Sequence, residues 1–276
     1  MRTEMATGAF TKGIETVSKM GKELFLEFLK VYLIGMVVII LGIGVAVAGG
    51  AFATGSAWAI LAVAIAATIV MMLIATAIMT VPINIMDERL SRAPVLGIMG
   101  NTKRNLVPVV FFYLIMMVII ILFAYIPLFV AMEMGGAAFI AGYIYYYAFV
   151  LLFSFIIQFS VFELVIARIG VLGSFGKSFD MVKKSFWETV IYYIGMIGVS
   201  MAVALVLAIV ALALFLIPVV IGIAIAGAAN SQAVNMFLLI VGALYGAILY
   251  IAYLAAMQAV VLPIQYHYWK AAREVR

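Results

Sequence analysis

The chain has 276 residues, of which 69% are apolar and 10% charged, with a net charge of +5, no cysteine and a single histidine. That composition excludes a soluble globular fold, which could not hide so much apolar surface, and it excludes disulfides and thiolate chemistry. A histidine-based metal cluster is excluded as well, and membrane segments of about 20 residues each leave no room for a separate soluble enzyme domain.

In chain order, the segment before Leu24 holds Lys12, Lys19 and Lys22 without a continuous apolar run, which argues against a cleavable signal peptide. Phe10, Ile14, Val17, Gly21 and Leu24 fall on one helical face with the lysines off it, predicting an amphipathic helix in the cytoplasmic interface. Apolar spans follow at Leu24–Ala48 and Trp58–Ile85. A basic connection with Lys103 and Arg104 leads to spans at Leu106–Ala131 and Ala137–Ala167. A second amphipathic segment follows, with Phe175, Phe179, Val182 and Phe186 as its apolar stripe and Lys177, Lys183 and Lys184 as its charges. It leads into spans at Thr189–Ile217 and Val234–Tyr266. Pro127 and Pro218 are expected to bend the third span and to kink or end the fifth, because proline removes a backbone donor.

All 16 lysines and arginines lie in the N-terminal 30 residues, between spans two and three, between spans four and five, or at the C-terminus. The other three connections, Gly49–Ser56, Ala131–Gly136 and Gly227–Gln232, contain none. By the positive-inside rule this predicts six spans in the cell (cytoplasmic) membrane with both termini in the cytoplasm.

Three stretches repeat at a period of about 80 residues. Each odd span begins with related text: Tyr32-Leu33-Ile34-Gly35-Met36, Tyr113-Leu114-Ile115-Met116-Met117 and Tyr192-Tyr193-Ile194-Gly195-Met196. Val81-Pro82, Phe162-Glu163 and Leu262-Pro263 occupy matching places further on. The expected fold is a single all-α membrane domain over 1–276. It comprises three repeated hairpins, at about 8–90, 91–170 and 171–270, each preceded by a cytoplasmic interfacial amphipathic helix.

Chemistry-bearing residues are few. Glu163 is an acid inside an expected span, and a structural ion pair with a nearby base outweighs a proton relay. Gln158 and Gln258 match between repeats and suit hydrogen bonds between helices. His267, in Gln265-Tyr266-His267-Tyr268-Trp269-Lys270, reads as part of an interfacial anchor, and Tyr143, Tyr145, Tyr146 and Tyr147 as an outer belt. The candidate lipid-facing set is Lys12, Lys19, Lys103, Arg104, Lys177, Lys183 and Lys184, with Trp187 and Trp269.

The six-span pattern, with Ser178-Phe179-Asp180-Met181-Val182-Lys183-Lys184-Ser185-Phe186-Trp187 leading into a hairpin, resembles a broad group of prokaryotic membrane proteins. The group includes the membrane domain attached to some glycerophosphodiester phosphodiesterases. The resemblance implies a membrane module tied to lipid metabolism, envelope processes or complex assembly. It transfers no catalytic residue, because the phosphodiesterase domain has no counterpart here.

Together these features predict a non-catalytic accessory or structural module that binds membrane lipids and forms a homo-oligomer or joins a membrane complex, with no cofactor and no nucleic acid. The alternative is a transporter or channel for a small solute or lipid, favoured by repeats and proline-interrupted helices. Convergence of Glu163, Gln158, Gln258 and the stretch after Pro218 on one hydrated cavity distinguishes the second from the first.

Overall fold

A computed structural model describes residues 4–52, 78, 80–91, 97–229 and 232–274, which are helical almost throughout and contain no strand. The helices are α1 (Glu4–Phe52), α2 (80–91), α3 (Gly97–Ile120), α4 (Ile126–Met134), α5 (Gly136–Ile157), α6 (Ser160–Val165), α7 (Val171–Lys184), α8 (Phe186–Ala229) and α9 (Gln232–Glu274). Four stretches among the described residues are long and apolar enough to cross a membrane: Gly100–Met134, Gly136–Val165, Phe186–Leu214 and Tyr245–Glu274. Helices suit that solvent because every backbone donor and acceptor is satisfied within the segment. Most of the expected second span, Trp58–Ile85, lies outside the described residues.

The expected interfacial helices differ among the three repeats. α1 runs 49 residues without a break, about 73 Å at 1.5 Å per residue, against a hydrocarbon layer of about 30 Å. Its amphipathic beginning is therefore continuous with the first span, and α3 likewise runs from Gly97 into the third span without interruption. Among the described residues, only the expected third repeat has a separate amphipathic helix, α7. It stops at Ser185, whose φ of −121° and ψ of 42° leave the helical region and whose hydroxyl donates to the Met181 carbonyl at 2.8 Å.

Two other breaks shape the bundle. The fourth span, expected to run unbroken through Ala137–Ala167, is interrupted between α5 and α6. Ser178 of α7 explains the interruption: its hydroxyl donates to the Ile156 carbonyl at 2.7 Å and accepts from the Phe159 amide at 3.3 Å. One side chain thus replaces two intrahelical partners, a recognised cause of helix breaks. Pro127 is accommodated by a π turn at Ile121–Tyr125, in which the Ile126 amide reaches back to the Ile121 carbonyl. α8, by contrast, remains helical past Pro218 to Ala229, while its stretch long and apolar enough to cross a membrane is Phe186–Leu214. The tight α4–α5 turn lies within the expected connection Ala131–Gly136. It depends on Gly135 at φ 64°, a conformation open to glycine, whose amide caps the carbonyls of Ala131 and Met132.

The packed core sits at the end of the bundle that carries the basic connections. Phe28, Tyr32, Met86, Phe112, Phe159, Tyr192 and Tyr268 are all buried there. The rings of Tyr192 and Tyr268 stack 3.9 Å apart, and Phe159 lies 5.6 Å from Tyr268. The flanks of α3, α5 and α8 expose Met117, Ile144, Leu152, Leu205 and Val206, as acyl chains require. α1 and α9 form the most extensive helix pair. The face α1 buries at the basic end is Ala6, Ala9, Gly13 and Thr16, whereas Ile14 of the predicted stripe is exposed. A Cβ on Gly13 would sit 2.7 Å from the Cα of Ile264, so the two backbones touch where no side chain intervenes. Gly195 instead makes room for the Phe10 ring, whose Cζ would lie 2.5 Å from a Cβ there, while Gly198 faces open space.

Candidate functional site

Polar side chains concentrate in three places at the basic end. The first joins α2 to α3. Asn84, Asp87 and Glu88 recur at helical spacing on α2, as do Asn101, Arg104 and Asn105 on α3, so each set shares a face. The Arg104 guanidinium donates to Asn84 Oδ1 at 2.6 Å and to Asn101 Oδ1 at 2.9 Å, and Asn101 Nδ2 donates to Glu88 Oε1 at 3.2 Å. Tyr266 adds α9 to the cluster by donating to Asp87 Oδ1 at 2.9 Å. Arg104, expected at phosphate level, is thus half-buried and occupied by protein partners. The signal that could have revealed the cluster is the repeated i, i+3, i+4 spacing of short amides and charges in 84–88 and 101–105.

The second place centres on Glu163, which is wholly buried. Its Oε1 accepts from the Trp269 indole at 2.9 Å and faces Arg273 Nε at 3.4 Å. Arg273 also stands 5.5 Å from the centroid of the Trp269 ring, and Phe162 stacks on that ring at 5.7 Å. The partner of Glu163 is therefore Arg273 of α9, not the nearby Arg168. Trp269 differs from its expected place at the interface: it is buried, because its indole N–H has a carboxylate to satisfy inside the bundle. Glu163 Oε2, Ser160 Oγ, Gln158 Nε2 and Gln258 Oε1 are buried without a hydrogen-bond partner among the described residues.

The third place lies between the start of α1 and the end of α9. His267 Nε2 is 2.9 Å from Thr16 Oγ1. The Thr16 hydroxyl is also placed to donate to the Lys12 carbonyl at 2.8 Å, an arrangement that suits the His267 tautomer with its proton on Nε2. A cavity of about 320 Å³ opens beside this pair, lined by Lys12, His267 and Lys270 together with Glu4 and Glu274. An apolar groove of about 600 Å³ runs between α8 and α9, past Ala208 and Gly246. Neither space is lined by Gln158, Glu163 or Gln258.

Lys19 is exposed and pairs with Glu15 at 2.6 Å, which holds the Glu15 carboxyl below the usual carboxylate range. Lys103, Lys177, Lys183, Lys184 and Trp187 are exposed, four of them on α7 or the first turn of α8. Tyr143, Tyr145 and Tyr147 are exposed on α5, and Tyr146 reaches Tyr125 at 3.4 Å. The stretch after Pro218 lies largely outside the side chains described. No protein-family model, curated protein or solved structure matches the chain.

Proposed function

We propose that the protein is an accessory module of the cytoplasmic membrane, built as three hairpins with six spans and both termini in the cytoplasm. It binds lipids and associates with itself or with another membrane subunit, and it performs no catalysis. The observation that carries this reading is the state of Glu163, an acid inside the expected fourth span. It is wholly buried, with Oε1 taken up by Trp269 and Arg273. Arg104 is likewise taken up in joining α2 to α3. Polar groups used in this way hold helices together. The exposed lysines of α7, beside exposed Phe179 and Trp187, suit contact with anionic headgroups and the acyl boundary.

A transport role is favoured by one observation, the π turn at Ile121–Tyr125, because such turns recur at functional sites. The two readings separate in proteoliposomes carrying wild type or Glu163→Gln. The module reading expects no proton or cation flux from either protein, and weaker assembly or lower thermal stability in the variant. PH-dependent flux that disappears in Glu163→Gln, with assembly intact, refutes it.

A further inference from the structure

We propose that the cavity between the first turns of α1 and the last turns of α9 binds a phosphoethanolamine group, Lys12 and Lys270 taking the phosphate and Glu274 the ammonium. This assigns a site and a ligand chemistry to the lipid-binding reading above and rests on it. At about 320 Å³ the cavity is at the small end of ligand pockets, the scale of a headgroup and not of a whole lipid. Its wall carries both signs of charge, Lys12 and Lys270 against Glu4 and Glu274. Among the described residues neither lysine nor Glu274 has an ion-pair partner. Charges of opposite sign that share a cavity without neutralising one another match a ligand that is itself a zwitterion.

The donors and acceptors sharpen the choice. The Nε2–H tautomer of His267, which the contact with Thr16 suits, has Nδ1 as its remaining acceptor, and that suits an ammonium N–H. A primary ammonium donates charge-assisted hydrogen bonds to carboxylates. A quaternary ammonium has no N–H to donate and is ordinarily held in a cage of aromatic rings. Among the described residues the cavity wall has no phenyl, phenol or indole ring, so it favours ethanolamine over choline. It lies at the last turns of Tyr245–Glu274, where a membrane-crossing helix reaches headgroup level. Gly8 contributes room, since a Cβ there would meet nothing within 4 Å.

The test uses the full chain, delipidated in mild detergent and titrated with dioleoyl phosphatidylethanolamine, phosphatidylcholine or phosphatidylglycerol, with bound lipid counted by native mass spectrometry. Wild type should bind the first phosphatidylethanolamine at least about tenfold more tightly than either other lipid. The Lys12→Ala/Lys270→Ala double variant should lose that preference. Gly8→Leu fills the same space without altering charge and should lose it too. Free O-phosphoethanolamine that displaces the lipid at equal concentration would make the source a soluble headgroup; failure to displace would make it the bilayer lipid. Wild type that retains all three lipids equally, or a preference that survives both variants, overturns this site while leaving general lipid binding intact. Wild type that retains no lipid at all overturns the underlying reading together with it.

Discussion

Replacing Gly13 by valine tests the backbone contact that joins α1 to α9. The new Cβ would lie 2.5 Å from Ile264 Cγ1 and 2.7 Å from Ile264 Cα, where carbon atoms rest at about 3.5–4.0 Å. The Ile264 side chain can turn away, but its Cα cannot, so α1 and α9 must part locally by about 1 Å. Overpacking of this kind costs about 1–3 kcal/mol, and the gain in helix propensity from glycine to valine returns only a few tenths. A net loss of about 2 kcal/mol corresponds to an apparent Tm lower by about 4–8 °C for a chain of this size. The fluorescence of Trp269, buried on α9 shortly after Ile264, reports the melting in detergent. Gly176→Ala on α7 is the control, since its Cβ meets nothing within 4 Å, and it should melt at or above wild type. Gly13→Val melting within about 1 °C of wild type would refute the close approach of α1 and α9.

Ser178→Ala should destabilise by about 1–3 kcal/mol, read as a lower apparent Tm, because the Ile156 carbonyl and Phe159 amide lose their shared partner. Arg104→Ala should lower stability by a similar amount, about 1.5–3 kcal/mol, by removing charge-assisted bonds to Asn84 and Asn101; an unchanged melting profile would contradict the α2–α3 cluster. The Glu15–Lys19 pair contributes in a defined direction. With the Glu15 carboxyl held below its unfolded value, its contribution is present above that value and lost as pH falls through the lower folded one. Both side chains are exposed, so Glu15→Gln should leave the melting temperature unchanged across that window. Since the chain has no cysteine of its own, single cysteines report sidedness directly. Met134→Cys at the α4–α5 turn should react with an impermeant maleimide on intact cells, and Lys177→Cys on α7 only after permeabilisation.

Apolar length and the placement of lysine and arginine made the helical membrane class legible, because both follow from the cost of placing polar groups in hydrocarbon. The inner face of α1 was not legible. It is formed by Ala6, Ala9, Gly13 and Thr16, whose small side chains carry little hydrophobic signal, while the larger Phe10 and Ile14 drew the stripe toward themselves. α7 shows the same displacement: it buries Ser174, Ser178, Met181 and Val182 and leaves Phe179 exposed. Close packing in a membrane rewards small residues, so a search for large apolar ones finds the wrong side of the helix. The break after Ile157 was equally hidden, since its cause is a serine some 20 residues further along the chain. Glu163 could be singled out because an acid stands alone in apolar text. Its partners Trp269 and Arg273 lie in the last turns of α9 and become neighbours only through the tertiary fold.

The most direct test of the module reading is native mass spectrometry of the protein extracted gently from its own membranes, with lipids and co-purifying proteins retained. The account predicts a defined oligomer or a stoichiometric partner subunit, with bound phospholipid. A lone protomer carrying one recurrent small molecule, together with flux of that molecule in liposomes, would contradict it and establish transport instead.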